Sequence, residues 1–192
     1  MVFTANVRDS FDVAKIHLKS LDQDFLPLLG LNFLNVFYKC IFADSKIICF
    51  VIKKNIKVVG FVVGTENMSD FFQKIIKKNF FVFLPLVIKR IFQYPFIIRN
   101  IYETFLYPKK DLGPEAELVI IAIGKESRGK GLGYKLVKSL EKEFEKRGIK
   151  EYKLTVTKRN ISANQFYNKL GFEKLTEFNL YNKDWNILVK KL

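Results

Sequence analysis

Residues 118–133 read Leu-Val-Ile-Ile-Ala-Ile-Gly-Lys-Glu-Ser-Arg-Gly-Lys-Gly-Leu-Gly. Within Glu115–Ile123, the unbroken apolar run from Leu118 to Ile123 predicts a central strand covered on both faces, because a strand with one wet face alternates. Glycines at 129, 131 and 133 follow; they let the backbone turn sharply and approach a ligand with no Cβ in the way. From Gly131 to Arg147 the apolar residues Leu132, Leu136, Leu140 and Phe144 recur every fourth position, which predicts an amphipathic helix. Gly148 stops it as a C′ glycine does. The first turn of such a helix has N–H groups without intrahelical partners and carries the positive end of the dipole. Glycine turn and helix N-terminus together suit a phosphate, and Arg128 and Lys130 add charge. By itself the turn has two readings, a tight connection or a phosphate cradle. It lacks the Walker A pattern, and Gly129-x-Gly131-x-Gly133 differs in spacing and in place from the dinucleotide fingerprint.

Working outward, Val2–Val7 reads as a short strand and Phe11–Ser20 as a helix capped by Asp9 or Ser10. Pro27 opens a second helical stretch that runs to about Phe42. Lys46–Ile52 and Ile56–Gly64 read as a hairpin turning at Asn55. Phe71–Tyr107, rich in Phe, Ile and Lys, reads as helical and broken at Pro85 and Pro95; it forms an insertion at about 69–110. Beyond Gly148 come a strand over Tyr152–Thr157, a short helix over Ser162–Leu170 stopped by Gly171, and strands over Phe172–Asn179 and Trp185–Val189 joined by a turn over Tyr181–Asp184. The order is that of a mixed α/β fold. With no linker-like tract, the 192 residues are read as a single domain with an insertion.

Composition excludes several classes. The chain is 49% hydrophobic and 27% charged, which is globular. Two cysteines, Cys40 and Cys49, and one histidine, His17, leave no disulfide framework and no His-rich metal site, so no metal is expected. No basic segment followed by an apolar core opens the chain, and the longest apolar run, Phe80–Ile88, is too short to span a bilayer; the default reading is cytoplasmic. The formal charge of +14 suits nucleic acid, an anionic membrane surface or a polyphosphate ligand, and equally follows from a Lys- and Asn-rich composition. No helix-turn-helix, RNP or zinc-finger pattern is present, so no nucleic-acid partner is expected.

Arg128-x-x-Gly131-x-Gly133 after a strand resembles the acyl-CoA-binding motif of the GNAT N-acetyltransferases. A second match, Asn160-x-x-Ala163-x-x-Phe166-Tyr167 leading into Leu170-Gly171-Phe172, lies at that family's spacing. The two motifs span Leu118 to Phe172. The resemblance implies the GNAT fold, a mixed and mostly antiparallel sheet whose central strand pair splays, flanked by helices. It implies acetyl-CoA as donor, with the pyrophosphate on Arg128, Gly129, Lys130, Gly131, Leu132 and Gly133. Pantetheine would lie along Ile121, Ala122 and Ile123, with one amide near Ile123 polarising the thioester carbonyl. Asn160, Ala163 and Phe166 complete that side. Asn160 contacts the arm or caps the following helix, or does both. Tyr167 is the acid for the departing thiolate, its pKa exceeding that of a thiol; the alternative is a tyrosine capping a core. For the base the candidates are Glu117, then Glu115, with a solvated strand end as the alternative, and more weakly His17. Gly124 stands where the family more often has a proline or an acid.

The acceptor side has no recognisable signature. A primary amine is implied, with an amino sugar or a nucleotide-linked amino sugar suggested by a likeness of Phe25–Gly30 to enzymes of surface-polysaccharide pathways. In the insertion Lys74, Lys77, Lys78, Lys89, Arg90, Arg99, Lys109 and Lys110 face one acid, Glu103, between Phe71 and Lys110, and could read phosphates. Protein or peptide N-acetylation and a non-catalytic acyl-CoA-binding module are the alternatives. The insertion is a lid, a dimer element or a peripheral membrane contact; its Phe residues are read as unsegregated, which favours lid or dimer. The protein is expected as a monomer or homodimer.

Overall fold

The computed structural model describes residues 1–107 and 112–192. Seven strands form one sheet: β1 Val2–Thr4, β2 Ile48–Lys54, β3 Lys57–Thr65, β4 Glu117–Ile123, β5 Glu151–Thr157, β6 Glu173–Leu180 and β7 Lys183–Lys191, in the order β1-β2-β3-β4-β5-β7-β6. Every neighbouring pair is antiparallel except β4–β5, which is parallel. The helices are α1 Ser10–Ser20, α2 Phe25–Leu28, α3 Gly30–Phe42, α4 Met68–Lys78, α5 Phe80–Gln93, α6 Ile97–Leu106, α7 Leu132–Lys146 and α8 Ile161–Lys169.

Four local expectations are corrected. The first strand ends at Thr4, because the Asn6 side chain accepts from the Arg8 N–H at 2.9 Å and starts a 3-10 turn over Val7–Asp9. Asp9 accordingly does not cap α1; its carboxylate accepts from the Asn6 N–H at 3.1 Å and pairs with Lys53 at 2.6 Å. The stretch from Pro27 to Phe42 is two helices, divided where Gly30 takes a φ of +87° and the Arg90 guanidinium occupies the space of a Cβ. Pro85 lies inside α5, whose break from α4 falls at Asn79 instead. A proline in the second turn of a helix deletes only one backbone hydrogen bond close to an end that already has unpaired N–H groups. Pro95 stands between α5 and α6, where a break is expected. Lys109 and Lys110 lie outside the described residues.

The sheet is covered on both faces, as the apolar β4 requires. Val13, Phe33, Phe37, Tyr38, Phe61 and Val63 form the core under α1 and α3. Leu136, Leu140 and Phe144 of α7 pack with Val62, Leu118, Tyr152 and Leu154 on the other face. Burying each such side chain contributes about 1.5–3 kcal/mol. α7 lies close enough on β3 that a Cβ at Gly64 would stand 2.5 Å from Leu140 Cδ1. The parallel pair is short: Glu117 faces Lys153 and Leu118 faces Leu154, and beyond them β4 and β5 separate. The two central strands therefore open a wedge toward the glycine turn.

Candidate active site

The open side of β4 is set by its pairing to β3. Gly124 N–H donates to Val59 C=O at 2.9 Å, and Ile123 stands opposite Gly60. Antiparallel pairing alternates, so the peptide groups of Ile123 and Ile121 point away from β3, into the wedge. The carbonyl of Ile123 accepts from Arg128 Nε at 3.1 Å and Ser20 Oγ at 3.3 Å. Lower on the strand Val63 pairs with Ile120 and Gly64 with Leu118, leaving Val119 as the extra residue of a bulge. A bulge bends and re-aims the strand.

A cavity of about 680 Å³ fills the wedge. Its lining includes Glu117 to Ile123, Arg128, Gly129, Gly131, Leu132, Gly133, Asn160, Ala163, Phe166 and Tyr167. Lys130 does not line it; its ammonium donates to Glu126 C=O at 3.0 Å. In the turn, Gly129 and Gly131 have φ of +73° and +70°, and a Cβ on either would project into open space. The first intrahelical bond of α7 runs from Lys135 N–H to Gly131 C=O at 3.2 Å, so the N–H groups of Leu132, Gly133 and Tyr134 have no helical acceptor. An open turn, free amides and Arg128 beside them fit a polyphosphate. Gly133 instead serves close packing, since its Cβ would stand 3.3 Å from Phe166 Cζ.

Glu117 is 2% exposed at the closed end of the wedge. It is not a solvated strand end. The Tyr107 hydroxyl donates to both carboxylate oxygens, at 3.1 and 2.9 Å. Burial raises the Glu117 pKa to about 7, against the opposing pull of Lys153 and of the Tyr107 hydrogen bond. Glu115 is exposed, accepts from Asn67 Nδ2 at 2.8 Å and lies outside the cavity lining. His17 lines the cavity but is buried, with Nδ1 2.5 Å from the Tyr38 hydroxyl, and desolvation lowers its pKa to about 3. An imidazole that resists protonation this strongly is a poor base.

Tyr167 is buried beside Phe166 and Phe172, at ring-centroid distances of 5.2 and 5.5 Å. Its hydroxyl makes no hydrogen bond with a described residue, and burial raises its pKa well above the ordinary phenol value. Asn160 is exposed and caps α8, its Oδ1 accepting from the Ala163 N–H at 3.2 Å, while it also lines the cavity.

The other end of the cavity was not foreseen. It is lined by Asp24, Phe25 and Leu26 from the α1–α2 junction, by Met68 and Phe72 of α4, by Thr104 and Tyr107 at the end of α6, and by Leu180, Tyr181 and Trp185 of the β6–β7 hairpin. Thr104 Oγ1 lies 2.7 Å from the Tyr181 hydroxyl. Asp24 has its pKa raised by burial, with Lys183 pulling the other way. Arg128 is the only Lys or Arg among the described lining residues, so none of the insertion's described cations reaches the cavity. No periodicity or local motif marks Asp24 or Tyr107.

The family model described as Acetyltransferase (GNAT) family matches residues 17–172. None of the curated proteins matches the chain. Among solved structures, the PaiA N-acetyltransferase of Thermoplasma acidophilum in complex with coenzyme A is similar at a TM-score of 0.62 and 14% identity, over 100% of this chain and 98% of that one. An N-acetyltransferase from Staphylococcus aureus gives 0.64 and 17%, over 99% and 100%. The ribosomal-protein-S18-alanine N-acetyltransferase of Escherichia coli gives 0.59 and 17%, over 100% and 92%. At such identities these likenesses speak for the fold.

Proposed function

The chain belongs to the acetyltransferase (GNAT) family and is an acetyl-CoA-dependent N-acetyltransferase; from that premise we propose that it moves the acetyl group directly onto a primary amine held at the Asp24–Tyr107 end of the cavity. One observation carries this reading. A buried carboxylate with a pKa near 7 shares a cavity with an open glycine turn and a buried tyrosine hydroxyl. When bound, acetyl-CoA supplies an activated thioester carbonyl.

The roles follow from position. Arg128 and the amides of the turn up to Gly133 hold the phosphates, and Ile121 to Ile123 with Asn160, Ala163 and Phe166 flank the arm. The wedge-facing N–H of Ile123 is the donor available to a carbonyl oxygen. Glu117 takes a proton from the incoming ammonium, directly or through water; a base with a pKa near the working pH suits that task. Tyr107 positions the carboxylate. The Tyr167 hydroxyl stays protonated at neutral pH and gives its proton to the leaving sulfur. The placement of Glu117 and Tyr167 speaks for an enzyme over a non-catalytic acyl-CoA module.

An amino sugar is supported by Phe25 and Leu26, which line the cavity. A nucleotide-linked form would bring phosphates to an end lined by Asp24 and Glu117 and by none of the insertion's described cations, which speaks against it. The test begins with calorimetric titration of the full chain with acetyl-CoA, with NAD and ATP as controls, then measures thiol release with a panel of amines. Selective binding of acetyl-CoA and turnover with neutral-bodied amines over nucleotide-linked ones is expected. Absence of acetyl-CoA binding would overturn the proposal.

A further inference from the structure

α5 is apolar on both sides. Phe83, Leu86, Val87 and Ile91 face the core, and Phe33 of α3 meets Phe83 at a ring-centroid distance of 5.1 Å. Phe80, Leu84, Ile88 and Phe92 stand at intervals of four residues and are all exposed; four-residue steps make a stripe that winds slowly along the helix, here from the edge of the core-facing side outward. Phe81 joins this stripe; it is 86% exposed and Phe92 84%. The Phe residues of α5 thus lie on both its buried and its exposed side, in keeping with the unsegregated pattern read from the sequence. The connection to α6 continues the patch with Tyr94 and Phe96, 44% and 55% exposed. Such a contiguous apolar face on a protein surface marks an interaction site.

Charge identifies the partner. Lys77 and Lys78 at the end of α4, three and two residues before Phe80, and Lys89 on α5, next to Ile88 in the chain, are exposed. Of the acids carried by α4 to α6, Asp70 is paired to Lys74 and Glu103 to Arg99. A second copy of the chain would set these cations against their own kind. A bilayer with anionic headgroups offers both an apolar layer and the complementary charge. No helix is long and apolar enough to cross a membrane among the described residues; the 14 residues of α5 extend only about 21 Å against a hydrocarbon core of about 30 Å. We propose that the outward face of α5, with its flanking lysines, docks the protein flat on an anionic lipid membrane. No residue of α5 lines the cavity, so docking leaves the active site free.

The experiment is co-flotation of the full chain with vesicles of phosphatidylcholine alone or with added phosphatidylglycerol. Binding is expected only to the anionic vesicles and is expected to weaken with salt. Replacing Lys77, Lys78 and Lys89 by Gln should lower partitioning about fivefold per charge removed. Phe81→Ser with Phe92→Ser should abolish binding while the melting temperature and the turnover of a water-soluble amine are unchanged, which separates loss of docking from loss of fold or of activity. Binding by this double variant equal to wild type would overturn the proposal. So would absence of vesicle binding together with self-association that the double variant abolishes, because the face would then be a protein interface. Equal binding to neutral and anionic vesicles would overturn the electrostatic part and with it the assigned lipid class.

Discussion

Glu117 and His17 have opposite responses to burial. Desolvation disfavours the charged form of each, so the carboxyl rises to about 7 and the imidazole falls to about 3. In catalysis the raised carboxyl sets the pH profile: kcat/KM should climb with pH to about 7 and level off as Glu117 loses its proton. Glu117→Gln should remove that limb and cost about 10² or more in turnover; an unchanged profile would take the role from Glu117. Tyr167→Phe should leave acetyl-CoA affinity intact and lower kcat by about 10², since its hydroxyl has no hydrogen-bond partner among the described residues to lose. In stability the signs oppose each other. A raised carboxyl stabilises in full below its ordinary 4.5, and that contribution is lost as pH rises through about 7. A depressed imidazole stabilises above its ordinary 6.5, and that contribution is lost as pH falls toward 3. Between pH 6.5 and 5 the two offset each other in the wild type. Denaturant unfolding should therefore show Glu117→Gln becoming more acid-labile over this window, and His17→Gln gaining about 2 kcal/mol on acidification relative to wild type. Parallel curves would refute both assignments.

Gly131 shows what one residue does for an element. Its positive φ starts α7 and its missing Cβ leaves the space before the free amides open. Gly131→Glu places a strained, negatively charged side chain in that space, and acetyl-CoA binding by calorimetry should fall by at least about 10², with α7 still seated by Leu136, Leu140 and Phe144. Wild-type affinity would mean the phosphates bind elsewhere. This turn, β4 and α7 were legible in the sequence because each rests on a local pattern: an apolar run, a glycine cluster, a four-residue repeat. The two motifs, Arg128–Gly133 and Asn160–Tyr167, whose residues meet at one cavity, were legible for the same reason. What was not legible depends on contacts distant in sequence. Gly30 divides a helix because Arg90 fills its vacant side. Pro85 is tolerated because of where α5 begins. Tyr107 reaches Glu117, and Thr104 meets Tyr181, only through the path of the insertion. The proposed acceptor end is assembled from four segments besides β4, of which only Phe25–Gly30 carries a resemblance of its own.

Across the whole molecule, charge and cavity disagree in sign at one end and agree at the other. The chain carries a formal +14, yet among the described residues Asp24 and Glu117 are the ionisable acids lining the proposed acceptor end and Arg128, at the turn, is the lining cation. A polyanionic donor is therefore favoured by the net charge of the entire protein, and the phosphate site proposed at Arg128 matches it locally. A cationic amine is repelled at long range and attracted only once it nears the two carboxylates. Salt screens exposed, long-range interactions first, with a Debye length of about 10 Å at 0.1 M, and buried short-range pairs much less. Raising ionic strength from about 0.05 to 0.5 M should thus increase the KM for acetyl-CoA several-fold. The KM for a cationic amine should stay level or fall, because the repulsion is screened and the attraction is not. Asp24→Asn should then raise the acceptor KM without moving that of acetyl-CoA. If both KM values rose together with salt, the acceptor would be anionic or would bind outside the acid-lined end, and the phosphate-bearing acceptors disfavoured by the cavity would return as the better class.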